Sequence, residues 1–226
     1  IKSLWGHFQA RLTEIEEFGS IARDTIIMAD KDTDVDIIVV FKKKEVKPDT
    51  YLKQLKEFCE QYYQRSEIYQ DYPTIVIDMD HVKFEIVPSY FVSDAIKKIP
   101  APRSYEFAWI STAPNEFKNT LETKDRNNKY LIKPLIRIFK YWNSLNGKPF
   151  FSYEIEKTIV NKAYSCTTIR DYFFYASNAI IESATSETQK KICNELKERR
   201  RRIRILEENN MFEYIEHELQ AFLPFP

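Results

Sequence analysis

The sequence predicts an α+β fold, with a small mixed sheet and flanking helices over residues 1–100 and a helical lobe over residues 101–226. Three observations carry this. Short Val- and Ile-rich runs alternate with amphipathic segments through the first hundred residues. Pro100, Pro102 and Pro114 then punctuate a loop-like stretch. From about Asn115 the apolar spacing is helical to the end.

The elements follow in order. Leu4, Phe8, Leu12, Ile15 and Phe18 are spaced four, four, three and three. That spacing predicts one long helix, a spine able to reach both halves, which delivers the chain to Gly19. Ile37 to Phe41 reads as a strand, and Lys42 to Lys47 as a charged turn. Thr50 to Tyr63 reads as an amphipathic helix on Leu52, Leu55, Phe58, Cys59 and Tyr62. Thr74–Ile77 and Val82–Val87 read as strands joined by a tight turn, Asp78 to His81, with Pro88 ending the second. Helices are predicted over Asn127–Leu145, Tyr153–Val160, Ile169–Ile181 and Glu187–Gln220. In the first of these, Leu131, Leu135, Ile138, Trp142 and Leu145 form an apolar stripe. Lys133, Arg137, Lys140 and Ser144 form another face, which by itself reads equally as solvated. No internal repeat is present.

Composition narrows the function classes. Apolar residues make up 43% and charged residues 30%, and only 3 Gly stand against 16 Phe and 14 Tyr, which argues against low-complexity disorder. Lys plus Arg equals Asp plus Glu, at 34 each, so no global field attracts nucleic acid. Cys59, Cys166 and Cys193 are far apart and lack Cys-x-x-Cys spacing, which predicts a reducing compartment without structural zinc or a disulfide framework. No apolar window has membrane-span length and the start lacks a signal-peptide pattern. A cytoplasmic monomer without a membrane partner is expected.

Two aspartates raise the chemical question. Asp34 and Asp36 lie two apart at the start of a strand, so their side chains share a face while Val35 points the other way. Carboxylates crowded there repel unless a cation neutralises them, and a hard divalent ion with oxygen ligands is the natural remedy. Solvated aspartates at a loop end are the plainer explanation of that pair alone. Gly19-Ser20 permits close backbone approach and offers a hydroxyl and an amide to a phosphate, although alone it reads as a helix C-cap and turn. The combination at this spacing is more specific. A third carboxylate belongs on a neighbouring strand. Glu85, between Phe84 and Ile86, is preferred over Asp78, because an aspartate opening a hairpin turn usually caps its own backbone.

Phe18-Gly19-Ser20, thirteen intervening residues, Asp34-Val35-Asp36 and Glu85 resemble the pattern of the DNA polymerase β nucleotidyltransferase superfamily. Within it the chain resembles the branch holding the oligoadenylate synthases, cyclic GMP–AMP synthase and the bacterial CD-NTases. "FGSIARDT" is similar to Phe-Gly-Ser-x-x-Arg-Gly-Thr, with Asp24 where the family has glycine. "FEIVPSY" is similar to the family's acid–apolar–apolar–Pro stretch, with Glu85 where aspartate is commoner. "KYWN" (Lys140–Asn143) and "SYEIE" (Ser152–Glu156) resemble the branch's second landmark, and "IPAPRSYEFAWISTAP" its linker, in which Trp109 and Pro114 read as scaffold. The matches run from Phe18 to Glu156.

The resemblance implies a polymerase β-like core and a magnesium-dependent nucleotidyltransferase. Two magnesium ions, or manganese in their place, would be held by Asp34, Asp36 and Glu85. Gly19, Ser20, Lys140, Ser152 and Tyr153 would bind the nucleoside triphosphate: Lys140 as a point charge, Ser152 at a helix N-terminus and Tyr153 stacking on a base. The implied product is a cyclic di- or trinucleotide in anti-phage, CBASS-type signalling. The alternatives are transfer to RNA ends or a protein hydroxyl, and a silent nucleotide-binding module. The basic run Lys197–Asn210 reads as a solvated face paired with Glu195, Glu198, Glu207 and Glu208 rather than as a site for a nucleic-acid activator.

Overall fold

In the computed structural model, which describes residues 1–27, 34–42, 47–80, 82–102 and 108–223, the first helix (α1, Lys2–Phe8) is much shorter than the spacing predicts. A single 3₁₀ turn follows, and Leu12–Glu17 is a strand, β1. Its register against the next strand shifts between Leu12 and Glu14, so one residue is bulged. The bulge turns Leu12 and Ile15 to the same face although they are three apart. That imitates helical spacing.

A helical turn (α2, Gly19–Ala22) and the strand β2 (Asp34–Phe41) come next. The helix α3 (Pro48–Tyr62) then leads to β3 (Glu67–Asp71), β4 (Thr74–Asp78) and β5 (Lys83–Phe91). The sheet order is β1-β2-β5-β4-β3, with β2 parallel to β5 and the other neighbours antiparallel. Two short strands, β6 (Lys97–Pro100) and β7 (Trp109–Thr112), continue from the end of β5. They occupy part of the stretch the prolines mark as loop.

Pro88 does not end its strand. β4 pairs with β5 as far as Ile86 and β6 takes over at Tyr90, so Pro88 falls in the gap on that edge, where a missing N–H costs little.

One sheet face packs on α1 and α3 through Phe8, Val39, Phe41, Leu55, Phe58 and Ile86. The opposite face holds a smaller apolar group, Ile38, Val40 and Val87, with Phe18, Phe91 and Ile99 against it. Lys97 covers this face. It is 3% exposed and ion-paired with Glu14 at 2.8 Å and with Glu16.

The chain divides into two compact units, Ile1–Thr120 and Leu121–Pro226. The predicted boundary near residue 100 falls at the end of β6. The helix α4 (Pro114–Asn127) crosses the division, and α5 (Ile132–Leu145), α6 (Ser152–Asn161), α7 (Ile169–Glu182), α8 (Glu187–Glu208) and α9 (Phe212–Phe222) follow.

Two helices of the second unit also differ from expectation. The predicted Asn127–Leu145 helix begins five residues late, because Lys129 and Tyr130 take positive φ. Buried Asp125 then accepts the amides of Ile132 and Lys133 at 2.9 and 3.1 Å, capping α5. The long last helix breaks at Asn209–Met211, where Asn210 has φ 55°. The buried stripe of α5 is Ile132, Leu135, Ile136, Phe139, Trp142 and Asn143, while Leu145 is 45% exposed. Most of the charged turn (43–46), His81, residues 28–33 before the aspartates, and 103–107 of the linker lie outside the described residues.

Candidate active site

The glycine sets the geometry. Phe18 N–H donates to the carbonyl of Asp36 at 3.0 Å, tying the end of β1 to the start of β2. The next residue, Gly19, is buried with φ +66°, and a Cβ there would stand 1.7 Å from Asp36 Oδ2. Only glycine provides both that backbone conformation and that space. Ser20 is the second residue of the helical turn, and its carbonyl accepts the Thr25 N–H at 2.9 Å and the Thr25 hydroxyl at 3.4 Å. Thr25 is fully buried and locks the turn. Between them Asp24 has φ 57° and donates its N–H to Ile21 at 2.9 Å. The position where the family has glycine is thus a left-handed one, which Asp tolerates better than most residues.

The parallel pairing of β2 with β5 puts the acids on one face. Asp34 lies opposite Lys83 and Asp36 opposite Glu85, so Asp34, Asp36 and Glu85 project from one sheet face. Burial together with the charges of Asp34 and Asp36, and a further contribution from Asp71, pushes the Glu85 carboxyl up to about 7; Lys83 opposes this. Among the described residues no three His, Cys, Asp or Glu side chains are gathered into a metal-holding group. What the sheet supplies is an all-oxygen donor set on adjacent positions, matched to a hard divalent cation, and a carboxyl whose charged form is disfavoured by burial and by Asp34 and Asp36.

Asp78 accepts the Asp80 N–H at 3.1 Å, inside its own turn, and pairs with Lys83 at 3.5 Å. The turn-capping expectation for this residue agrees with that geometry.

The second unit carries the other nucleotide-binding candidates. Ser152 is the first residue of α6, and Tyr153 beside it is 49% exposed. Phe151, at the N-cap, makes no side-chain cap bond. Lys140 differs from the solvated stripe residue: it is 7% exposed and its Nζ lies 3.3 Å from Oε1 of Glu156, which is fully buried. Lys133 is likewise held, by Glu122 at 2.7 Å.

Sequence reasoning missed Thr25 and the Lys97–Glu14–Glu16 cluster. Glu14 and Glu16 are two apart, and their shared face becomes apparent only once Leu12–Glu17 is read as a strand. Trp109, read as scaffold, packs its ring on Tyr51 and Tyr90, with centroids 6.0 and 4.9 Å away.

A mixed sheet with Gly-Ser packed against a strand-borne Asp-x-Asp, a third acid on the adjacent parallel strand and helices following defines a polymerase β-like nucleotidyltransferase core. The chain belongs to the Second Messenger Oligonucleotide or Dinucleotide Synthetase (SMODS) domain family, which matches residues 2–127.

Bacterial CD-NTases of known structure share the fold. Vibrio cholerae DncV, a cyclic AMP-GMP synthase, superposes with a TM-score of 0.67 at 10% identity over 82% of this chain and 62% of that one. Bradyrhizobium diazoefficiens CdnG in complex with GTP gives 0.62 at 12% identity over 78% and 65%. Rhodothermus marinus CdnE, a c-UMP-AMP synthase, gives 0.61 at 18% over 80% and 80%. The chain therefore spans less than two thirds of the length of DncV and CdnG. No curated protein matches it. No described helix is long and apolar enough to cross a membrane.

Proposed function

We propose that the chain is a nucleotidyltransferase that joins ribonucleoside triphosphates into a cyclic di- or trinucleotide with release of pyrophosphate, in anti-phage signalling of the CBASS type. The observation that carries this is the packing of Asp36 against Gly19, with Asp34 and Glu85 on the same face of adjacent strands. Membership of the SMODS family supports it. So do the solved relatives, which include cyclic AMP-GMP and c-UMP-AMP synthases and complexes with nucleoside triphosphates.

In the reaction, a hydroxyl oxygen of one nucleotide bonds to the α-phosphorus of another while the bond from that phosphorus to pyrophosphate breaks. Asp34, Asp36 and Glu85 would hold two magnesium ions, or manganese. Such ions, when bound, lower the pKa of the attacking hydroxyl and neutralise the leaving phosphates. Glu85 would orient the attacking oxygen and take its proton. Gly19 and Ser20 let backbone approach the phosphates closely, and Ser152 presents its hydroxyl at the start of α6. Tyr153 offers a partly exposed ring for a base, a contact worth about 1–3 kcal/mol. Lys140 contributes charge to the triphosphate by exchanging or sharing Glu156. The protein acts as a cytoplasmic monomer.

The test is to incubate the protein alone with the four labelled ribonucleoside triphosphates and magnesium, treat with phosphatase and analyse by mass spectrometry. A phosphatase-resistant cyclic product supports the reading. Label transferred only to added RNA or protein overturns it in favour of a macromolecular acceptor.

A further inference from the structure

The basic run on α8 is mostly neutralised. Arg199 and Arg202 both hold Glu218 at 2.9 Å, and Arg201 holds Glu198 at 3.1 Å. Arg200 and Arg204 differ. Arg200 is 7% exposed, its Nη1 donates to Asn178 Oδ1 at 2.7 Å, and its Nε is buried with no hydrogen-bond partner. Among the described residues no carboxylate is bonded to either arginine. Arg204 lies one helical turn on, so the two guanidinium groups share a side of α8.

Both cluster on one aromatic ring. The guanidinium carbons of Arg200 and Arg204 sit 5.1 and 4.8 Å from the centroid of Phe174 on α7, and Arg170 adds a third at 4.9 Å. Arg170 takes Glu207 in two contacts, one of 2.6 Å, and the charge of Arg204 also acts on this carboxylate. Asp171 is also held by Arg170, at 2.8 Å. Arg204 is exposed and shares the charge of Glu207, whereas buried Arg200 faces Phe174 with only Asn178 and the ring's quadrupole to offset it. Burial, followed by the charge of Arg204, holds Arg200 down to about 10.

A guanidinium this buried without a carboxylate is a costly arrangement that an anion beside it would offset by charge. The rigid donor fork of arginine fits a tetrahedral oxyanion, and a second arginine beside it supplies the matching charge. Phe174 is itself 6% exposed beneath the guanidinium groups, so it offers no open face for a base or other flat ligand. The site selects charge and compactness.

We propose that Arg200 and Arg204, with Arg170 beside them on Phe174, form a binding site for a small phosphate-bearing anion at the α7–α8 seam. None of these residues belongs to the set assigned to the triphosphate, so the site stands or falls independently of the proposed reaction. Its occupant ties the two helices together by bridging Arg170 on α7 and the arginines of α8.

The test is a titration of the full chain with inorganic phosphate at constant ionic strength, following the ¹⁵N resonance of Arg200 Nε, assigned with Arg200→Met, and the melting temperature. Phosphate is expected to shift that resonance. At about ten times the midpoint concentration it should raise Tm by about 3–6 °C. Arg204→Gln, at an exposed position that leaves the fold intact by circular dichroism, should weaken the response at least about tenfold. An Arg200 resonance that stays put through ~50 mM phosphate, or an Arg204→Gln protein that titrates like the parent, overturns the proposal. So does a single-stranded RNA that binds far more tightly than phosphate through the same arginines, because the occupant would then be a polymer.

Discussion

Gly19 and Asp36 are packed so closely that the side-chain oxygen of one occupies the space a Cβ on the other would need: 1.7 Å separates Asp36 Oδ2 from that position. The contact fixes the aspartate's rotamer from the backbone of the helical turn α2. It also makes the glycine part of the site and not merely of the turn. Gly19→Ala should lower kcat/KM for nucleotide transfer by at least ~100-fold, because the displaced carboxylate leaves its working geometry. Stability should fall by about 1–2 kcal/mol from the left-handed backbone alone. Repeating the substitution in an Asp36→Ala background, where the clashing oxygens are gone, should recover part of the stability loss in a denaturant titration. Equal losses in both backgrounds would show that Asp36 is not what the methyl group meets.

Glu85 gives a pH signature. Its carboxyl is raised from 4.5 to about 7 in the folded chain, so the native state binds more protons than the unfolded one between those values. The metal-free protein should therefore be most stable below about pH 4.5 with respect to this group, and should lose that contribution as pH rises through 7. A fully buried group with this shift would contribute about 3 kcal/mol, and partial exposure reduces that to about 1–2 kcal/mol. Glu85→Gln should flatten this part of the stability profile in EDTA, stabilise the protein at pH 8 and abolish transfer. Magnesium should raise Tm at pH 8 in the parent and have little effect on the variant. An unchanged pH profile in Glu85→Gln would assign the titration elsewhere.

Much of this site is legible in the sequence because it is local. The spacing of Asp34, Val35 and Asp36 is enough to put two acids on one face, and Phe84 and Ile86 orient Glu85 the same way once they form a strand. The error at the start of the chain has a definite cause. The bulge after Leu12 gives a strand the three-residue spacing of a helix, so periodicity points to the wrong element. β6 and β7 escape notice because they are four residues each and interrupted by proline-rich sequence. The burial of Lys140 and Arg200 is not local at all: the partner of one and the ring beneath the other lie on different helices. A lysine or arginine in an amphipathic helix carries no mark of such partners.

Asp24 tests a prediction about backbone rather than charge. Its φ of 57° lies in the region where a β-branched residue is an outlier and where glycine is unstrained. Asp24→Gly should fold normally and keep its activity. Asp24→Val should lose about 1–2 kcal/mol and weaken the turn that Thr25 closes onto Ser20. Thermal denaturation of the two variants side by side decides it, and a Val variant as stable as the Gly one would mean that the turn relaxes to another conformation.

The Lys140–Glu156 pair separates scaffold from substrate binding. Glu156 is fully buried and Lys140 nearly so, with 3.3 Å between their charged atoms. Glu156→Gln breaks a buried ion pair, a change that typically costs about 3–5 kcal/mol in chemical denaturation. Replacing both, as Lys140→Met with Glu156→Leu, removes the two buried charges together and should restore part of that stability. The double variant then isolates the functional question. If Lys140 also serves the triphosphate, the refolded double variant should show a KM for nucleotide raised about tenfold or more with its fold intact. A double variant with parental stability and parental KM would confine Lys140 to joining α5 to α6, and the charge facing the triphosphate would have to come from another residue.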